Sequence, residues 1–416
     1  MENSVDPVSN PAADLAPRHE PFVVAGIRLA HGATGVKYRN RDDLCVIEIA
    51  DSSNVHCLFT KNKFSAAPIT VARRHLRASA TRYLIINAGN ANAGTGTEGE
   101  RRAFGMCEAV SQSAGCTPQA VLPFSTGVIG EQLNIGPIEN LVPELLSSLS
   151  AGNWADAAVA IMTTDTVPKV RSIRVKCGEV LYTVTGIAKG SGMIRPDMAT
   201  MLAYVATDAA VAPELLRKLA CDSANQSFNR ISVDGDTSTN DAFTLIATGQ
   251  SEGELIDVGD HPHYSALAGA VACVCRSLAQ DIVRDGEGAT KFISVHVRGG
   301  KHEKDCLQVA YAVAESPLVK TAMFAGDPNW GRILAAIGRA GIDDMRIDEV
   351  SIAISGYCIV AGGSCVRDYE ESKAAALMKR DEIDISIEIG RGSAAVSVWT
   401  CDFSYDYVKI NAEYRS

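Results

Sequence analysis

Apolar residues along this chain recur at two different periods. Residues 43–50 (DLCVIEIA) and 83–89 (YLIINAG) are short apolar runs that predict strands. Residues 99–115 carry apolar positions at helical spacing and stop at Gly115. Residues 136–152 predict another helix, which Pro143 kinks or divides. Residues 170–190 read as two alternating strands that turn at Cys177-Gly178-Glu179. A helix is expected from Pro213 through Ser227, a strand at 242–249 (AFTLIATG), and a long helix of small residues at 264–286. The last third is strand-rich, with period-two alternation at 291–300, 381–390 and 394–404. No repeat, heptad or low-complexity block interrupts the pattern. It predicts an α/β (α+β) protein of layered sheets and helices.

One junction stands out against this alternation. In KGSGMIRPDMATMLAYVATDA (189–209), a Gly-rich loop containing the rigid Pro196 meets the apolar run 201–206, which reads as a buried strand. Ala199 and Thr200 sit at the joint. A Thr hydroxyl there can attack the preceding carbonyl and turn the amide into an ester. Water then frees Thr200 as a new N-terminus. Small Ala199 and the glycines give access, and Pro196 restricts the loop. A freed Thr is a complete acyl-transfer unit. Its hydroxyl is the nucleophile, its α-amine (pKa ~7.7–8.0) is the base, and its β-branch limits χ1. Taken alone, a Gly-rich loop marks only a turn as often as not.

Composition narrows the class. At ~100–200 residues per domain, 416 residues make two or three domains or one two-lobed body, and 46% apolar residues supply a core. A net charge of -10 argues against a nucleic-acid or anionic-membrane binder. The 12 cysteines include no C-x-x-C pair, so reduced, mostly buried thiols in a cytoplasmic protein are expected rather than disulfides or a zinc knuckle. No run of ~18 apolar residues predicts a membrane span. Residues 1–20 are polar and Pro-rich without a signal-peptide pattern, and are expected to be a disordered tail.

The junction belongs to a series of blocks: NAGNANAGTG (87–96), STGVIGE (125–131), MTTDTVPK (162–169), KGSGMIRPDMATML, SVDGDTSTND (232–241), DGEGATK (285–291), KTAMFAGDPNWGRILAAIGRAG (320–341) and VKINAEYRS (408–416). In this order they resemble the ornithine acetyltransferase (glutamate N-acetyltransferase) family of arginine biosynthesis, from about Gly26 to Ser416. The resemblance implies self-cleavage between Ala199 and Thr200, giving fragments 1–199 (the tail 1–20 and an α chain 21–199) and 200–416 that stay together, with a dimer of cleaved pairs (a heterotetramer) expected. It implies two mixed sheets packed face to face with helices outside, an ornithine acetyltransferase/DmpA-like fold. It also implies ping-pong transfer of acetyl from N-acetylornithine to glutamate. Some members of the family take acetyl-CoA as donor; no bound cofactor or metal is expected.

The same resemblance assigns roles. Thr126 and Gly127 supply the oxyanion hole that acyl transfer needs; without the match they read as a strand-end turn. Lys189 contacts substrate, although a lone lysine is ordinarily solvated surface. Thr163 matches a substrate contact, but Thr164 and Thr166 stand beside it, and the stretch suits a helix cap equally well. Glu287 binds a side-chain ammonium, on a loop that lacks the Walker A spacing. Asn411 and Ser416 match C-terminal substrate contacts, and Ser416 stands where many members have Thr. Asn240 and Asp241 are assigned to support of the site. DGDTSTND lacks the Gly and Glu of a calcium loop, and His261 and His263 have no third ligand. Two other readings remain: a self-processing N-terminal-nucleophile hydrolase or aminopeptidase, distinguished by water as acceptor, and a non-catalytic binding protein that keeps the fold.

Overall fold

The computed structural model of the protein describes residues 16–35, 37, 41–195 and 201–413. Strands β1 (Ile27–Gly32), β2 (Leu44–Ile49) and β3 (Asn54–Phe59) precede helix α1 (Ala67–Ala78). Then come β4 (Tyr83–Asn90), α2 (Gly96–Ala114), β5 (Val121–Val128), α3 (Gly136–Ser147) and α4 (Trp154–Ala160). The hairpin β6 (Lys169–Cys177) and β7 (Val180–Lys189) leads to β8 (Leu202–Thr207), α5 (Pro213–Gln226), β9 (Ile231–Ser232), β10 (Ala242–Ala247) and α6 (Tyr264–Arg284). The last third holds β11 (Phe292–Gly300), α7 (Glu303–Ala314), α8 (Pro317–Ala325), α9 (Trp330–Gly338), β12 (Ser351–Ile354), β13 (Tyr357–Ala361), β14 (Ser364–Cys365), α10 (Glu371–Leu377), β15 (Glu382–Glu388), β16 (Ala394–Cys401) and α11 (Tyr405–Ala412).

Among the described residues the strands form three sheets, ordered β1-β2-β4-β5, β3-β10-β8-β7-β6 and β14-β13-β12-β15-β11-β16-β9. All three mix parallel and antiparallel pairs; β4 runs parallel to β5, and β8 to β10. The first two sheets pack face to face. Their shared core takes Cys45, Ile47, Leu84, Ile86 and Phe124 from one side and Ile187, Leu202, Tyr204 and Ile246 from the other. The intervening residues face outward: Val46 and Ile85 meet α2 and α3, while Ala203, Val205 and Phe243 meet α5 and α6. This explains why β8 reads as an unbroken apolar run. It is covered on both faces, so alternation no longer separates inside from outside. Each fully buried Leu, Ile or Phe contributes about 1.5–3 kcal/mol.

The two expected sheets and their helical layers are therefore present. The third sheet goes beyond that expectation and buries one face against α7, α8 and α9. In α3, Pro143 lies inside the helix without dividing it; the helix ends at Ser147, and a separate α4 follows. Of the expected tail, residues 1–15 lie outside the described residues; residues 16–20 are described, and Arg18 N donates to Ser172 O on β6 at 2.9 Å. Its guanidinium lies over Phe22, whose N donates to Ser172 Oγ at 2.9 Å. By length and composition α6 could cross a bilayer. Here its buried positions 267, 270, 271, 274, 275, 278, 279, 282 and 283 form one helical stripe in the core over the second sheet. None of the 12 cysteines forms a disulfide.

Candidate active site

Where the ends of β5, β7 and β8 meet the loop after α6, they enclose a cavity of about 300 Å³. It collects residues that are far apart in sequence: Thr126 and Gly127, Thr163, Lys189, Glu287 and Asn411 all line it. Met201, the residue bonded to Thr200 in the chain, lines it as well, beside Leu202. Ala199, Thr200 and Ser416 lie outside the described residues.

Each lining side chain is delivered by a recognisable local device. Thr126 and Gly127 occupy the end of β5, where the ladder with β4 slips at Asn90. Gly127 has φ +131°, and a Cβ there would fall 2.2 Å from the Gly89 carbonyl carbon, so only glycine fits. Asn240 braces this corner from the other sheet, its Nδ2 donating to Ala91 O at 2.6 Å and Ser125 O at 2.8 Å. Lys189 ends β7 opposite Leu202, and its Nζ donates to Thr126 Oγ1 at 3.2 Å. Glu287 leaves the C-terminal end of α6, and its N donates to Ser191 O at 2.8 Å. Its Oε2 accepts from Asn411 Nδ2 on α11 at 2.9 Å. Close packing holds that loop against the Gly-rich one, since a Cβ on Gly192 would lie 2.3 Å from the Glu287 carboxyl carbon.

The three threonines of MTTDT separate in space. Thr163 and Thr164 line the cavity, and Thr164 Oγ1 shares a hydrogen bond with Ser191 Oγ at 2.7 Å. Thr166 turns away and donates through its N to Asp285 Oδ2 at 3.0 Å.

Two acids in the site were passed over in the sequence or named only in general terms. Asp165 is 6% exposed and accepts from Thr163 N at 3.0 Å, Gly190 N at 2.6 Å and Lys169 Nζ at 2.7 Å. Lys169 Nζ in turn reaches Asp285 Oδ2 at 2.6 Å. No local pattern marks these residues, because the chain of charges runs between segments distant in sequence. The one available signal was the i,i+4 spacing of Asp165 and Lys169 within MTTDTVPK. Burial alone would raise the pKa of Asp165, but the ammonium groups of Lys189 and Lys169, with the hydrogen bonds, hold it below the usual carboxylate range. Asp241 lines the cavity, is 2% exposed, and has no hydrogen-bond partner at Oδ2. Burial pushes its pKa well up, against the opposing pull of Ser238 and Lys189. Lys189 is lowered by burial, with the Asp165 carboxylate acting against it.

Thus the cavity presents one ammonium, two carboxyl groups, hydroxyls and a glycine backbone. Such a lining suits a small zwitterionic ligand and a reaction that develops negative charge on oxygen. Among the described residues, no group of three or more His, Cys, Asp or Glu side chains could hold a metal. His263 Nδ1 pairs with Tyr182 OH at 2.9 Å, and neither His261 nor His263 lines the cavity.

A sequence profile of the ArgJ family matches residues 28–416. The chain belongs to the ArgJ family. Among curated relatives of this ArgJ-family chain, an arginine biosynthesis bifunctional protein ArgJ from Psychrobacter arcticus is 53% identical over 395 residues, covering 95% of this chain and 97% of its own. A protein of the same name from Pseudomonas syringae pv. tomato is 50% identical over 405 residues, covering 97% of this chain and 100% of its own. Of solved structures, the arginine biosynthesis bifunctional protein argJ from Bacillus halodurans is 38% identical with a TM-score of 0.48, covering 49% of this chain and 95% of that chain.

Proposed function

We propose that this protein transfers an acetyl group from N2-acetyl-L-ornithine to L-glutamate in arginine biosynthesis, through an acetyl ester on Thr200. The observation that carries the reading is the convergence of Thr126, Gly127, Thr163, Lys189, Glu287 and Asn411 on one cavity beside Met201. The names of the full-length relatives support the pathway.

The chemistry proceeds in two balanced steps. Thr200 Oγ attacks the acetyl carbonyl while the Thr200 amine takes its proton. The Thr126 hydroxyl and the Gly127 N–H take up the oxyanion. The C–N bond breaks, and the proton passes to the departing ornithine nitrogen. The glutamate amine then attacks the ester, and Thr200 recovers its proton as N-acetylglutamate leaves. Lys189, Thr163, Asn411 and Ser416 hold the amino-acid groups, and Glu287 takes the side-chain ammonium of ornithine.

The active form arises by autocatalytic cleavage at Ala199-Thr200, giving chains 1–199 and 200–416 assembled as a cytoplasmic heterotetramer, two of each. Acetyl-CoA serves as a second donor for glutamate without being a resident cofactor. Separate assays of N-acetylornithine plus glutamate and of acetyl-CoA plus glutamate test both activities. N-acetylglutamate is expected in each. Hydrolysis of acetylornithine with glutamate left unmodified would instead support the hydrolase reading.

A further inference from the structure

We propose that Asp165 is the positioning residue of this site: its carboxylate holds the Lys189 ammonium against the Thr126 hydroxyl and sets the Thr163 and Gly190 backbones around it. The assignment rests on geometry. Oδ1 accepts from Gly190 N at 2.6 Å and Lys169 Nζ at 2.7 Å, while Oδ2 accepts from Thr163 N at 3.0 Å and lies 3.9 Å from Lys189 Nζ. A carboxylate offers about four lone-pair sites; here three donors are within hydrogen-bond distance, and the Lys189 ammonium stands at ion-pair distance. Three of these four groups belong to residues that line the cavity, so one buried side chain fixes the spacing of three parts of its wall.

The charges support the same conclusion. Lys189, Asp165, Lys169 and Asp285 alternate in sign through the interior, with Lys169 and Asp165 side chains both 0% exposed. Buried charges persist only when paired and hydrogen-bonded. Lys169 is taken up by Asp165, Asp285 and Val167 O, and Asp285 also accepts from Thr166 N. The groups that act on Lys189 are Asp165 from the segment before β6, Lys169 from β6, Asp241 from the loop before β10, and Glu287 from the loop after α6. The Thr126 hydroxyl approaches it from β5. Of the carboxylates, Asp165 opposes the effect of burial most strongly. Without it, Lys189 loses its proton at lower pH, and its attraction for a substrate carboxylate fails with it.

The proposal rests on the acetyl-transfer reading for its catalytic consequence, but the charge of Lys189 can be read without turnover. The test uses the full-length protein labelled with ¹⁵N-lysine, with the Lys189 Nζ resonance assigned by its loss in Lys189→Arg. The resonance is titrated in the wild type and in Asp165→Asn, alongside the pH profile of kcat/KM. Asp165→Asn is expected to lower the Lys189 midpoint by ~1–3 pH units, the effect of one opposite charge nearby. The alkaline limb of kcat/KM is expected to move down by the same amount. Identical midpoints in two folded proteins would overturn the proposal. If Asp165→Asn does not fold, the wild type decides: an Nζ that is still an ammonium at pH 7 supports the proposal, and one already uncharged there overturns it. A wild type with the expected titration but no acetyl transfer would count against the functional reading and leave the role of Asp165 standing.

Discussion

The side-chain amide of Asn411 donates to Glu287 Oε2 at 2.9 Å, so the last helix of the chain restrains the carboxylate that leaves the longest one. Asn411 is exposed, whereas Glu287 is 7% exposed. The bond therefore closes the rim of the cavity over a buried acid. A hydrogen bond to a charged group contributes about 1.5–3 kcal/mol. Asn411→Ala is expected to raise KM for N-acetylornithine by about tenfold or more, with a smaller effect on kcat. Steady-state kinetics at fixed glutamate check this, and an unchanged KM would remove Asn411 from substrate binding.

The close approach of Gly192 to Glu287 gives a second way to disturb the same carboxylate. The added Cβ of Gly192→Ala would stand 2.3 Å from its carboxyl carbon. The Glu287 side chain is the part able to give way, so the substitution is expected to reach binding before stability. KM for N-acetylornithine should rise while the thermal midpoint changes little. Gly127→Ala makes the opposite case, because its Cβ meets backbone at 2.2 Å with φ at +131°. Strain and overpacking there cost ~2–5 kcal/mol, and calorimetry should show a clear fall in Tm. Equal Tm losses in the two variants would contradict this contrast.

Removing the Thr126 hydroxyl tests the oxyanion hole. Thr126→Ala is expected to lower kcat by ~10²–10³, the usual loss of one such donor. Its effect on self-cleavage, read on a denaturing gel, reports whether both reactions use the same donors. Unchanged kinetics in a folded variant would exclude Thr126 from the chemistry.

Asp241 supplies a pH-dependent prediction. Burial raises its pKa in the folded protein. The sign follows directly: below the unfolded value of about 3.9 both states hold the proton and Asp241 costs nothing. As pH rises above that value, the unfolded state gives up its proton first, and each pH unit up to the folded pKa costs about 1.4 kcal/mol. Asp241→Asn should therefore raise Tm at pH 7 by more than at pH 4. The same increment at both pH values would show that the acid is not the source of the penalty.

The apolar pattern revealed the sandwich strands because β4 and β8 are covered on both faces and β6 alternates over its second half, residues 173–177. The third sheet was visible as separate strands but not as a sheet, since β11 pairs with β15 and β16 across long intervening segments. Thr126-Gly127 and Glu287 were singled out through the family resemblance rather than by their own pattern, and the fold brings them to one cavity. Asp165, Lys169 and Asp285 were not legible in that way. Their meaning lies in contacts between segments, and an isolated Asp or Lys in sequence reads as solvated surface. The choice among Thr163, Thr164 and Thr166 likewise needed three dimensions, because only the fold turns Thr166 toward Asp285 and away from the cavity.

The most direct test of the central claim is the mass of the 200–416 fragment, quenched after mixing the enzyme with N-acetylornithine in the absence of glutamate. An acetyl ester on Thr200 predicts one added acetyl group located on that residue, at most about one ornithine released per site in a rapid phase, and loss of the added mass when glutamate is supplied. Thr200→Ala should show neither the cleavage nor the added mass. An unmodified fragment from enzyme that still makes N-acetylglutamate, with intersecting rather than parallel double-reciprocal lines, would mean direct transfer in a ternary complex and would contradict the account.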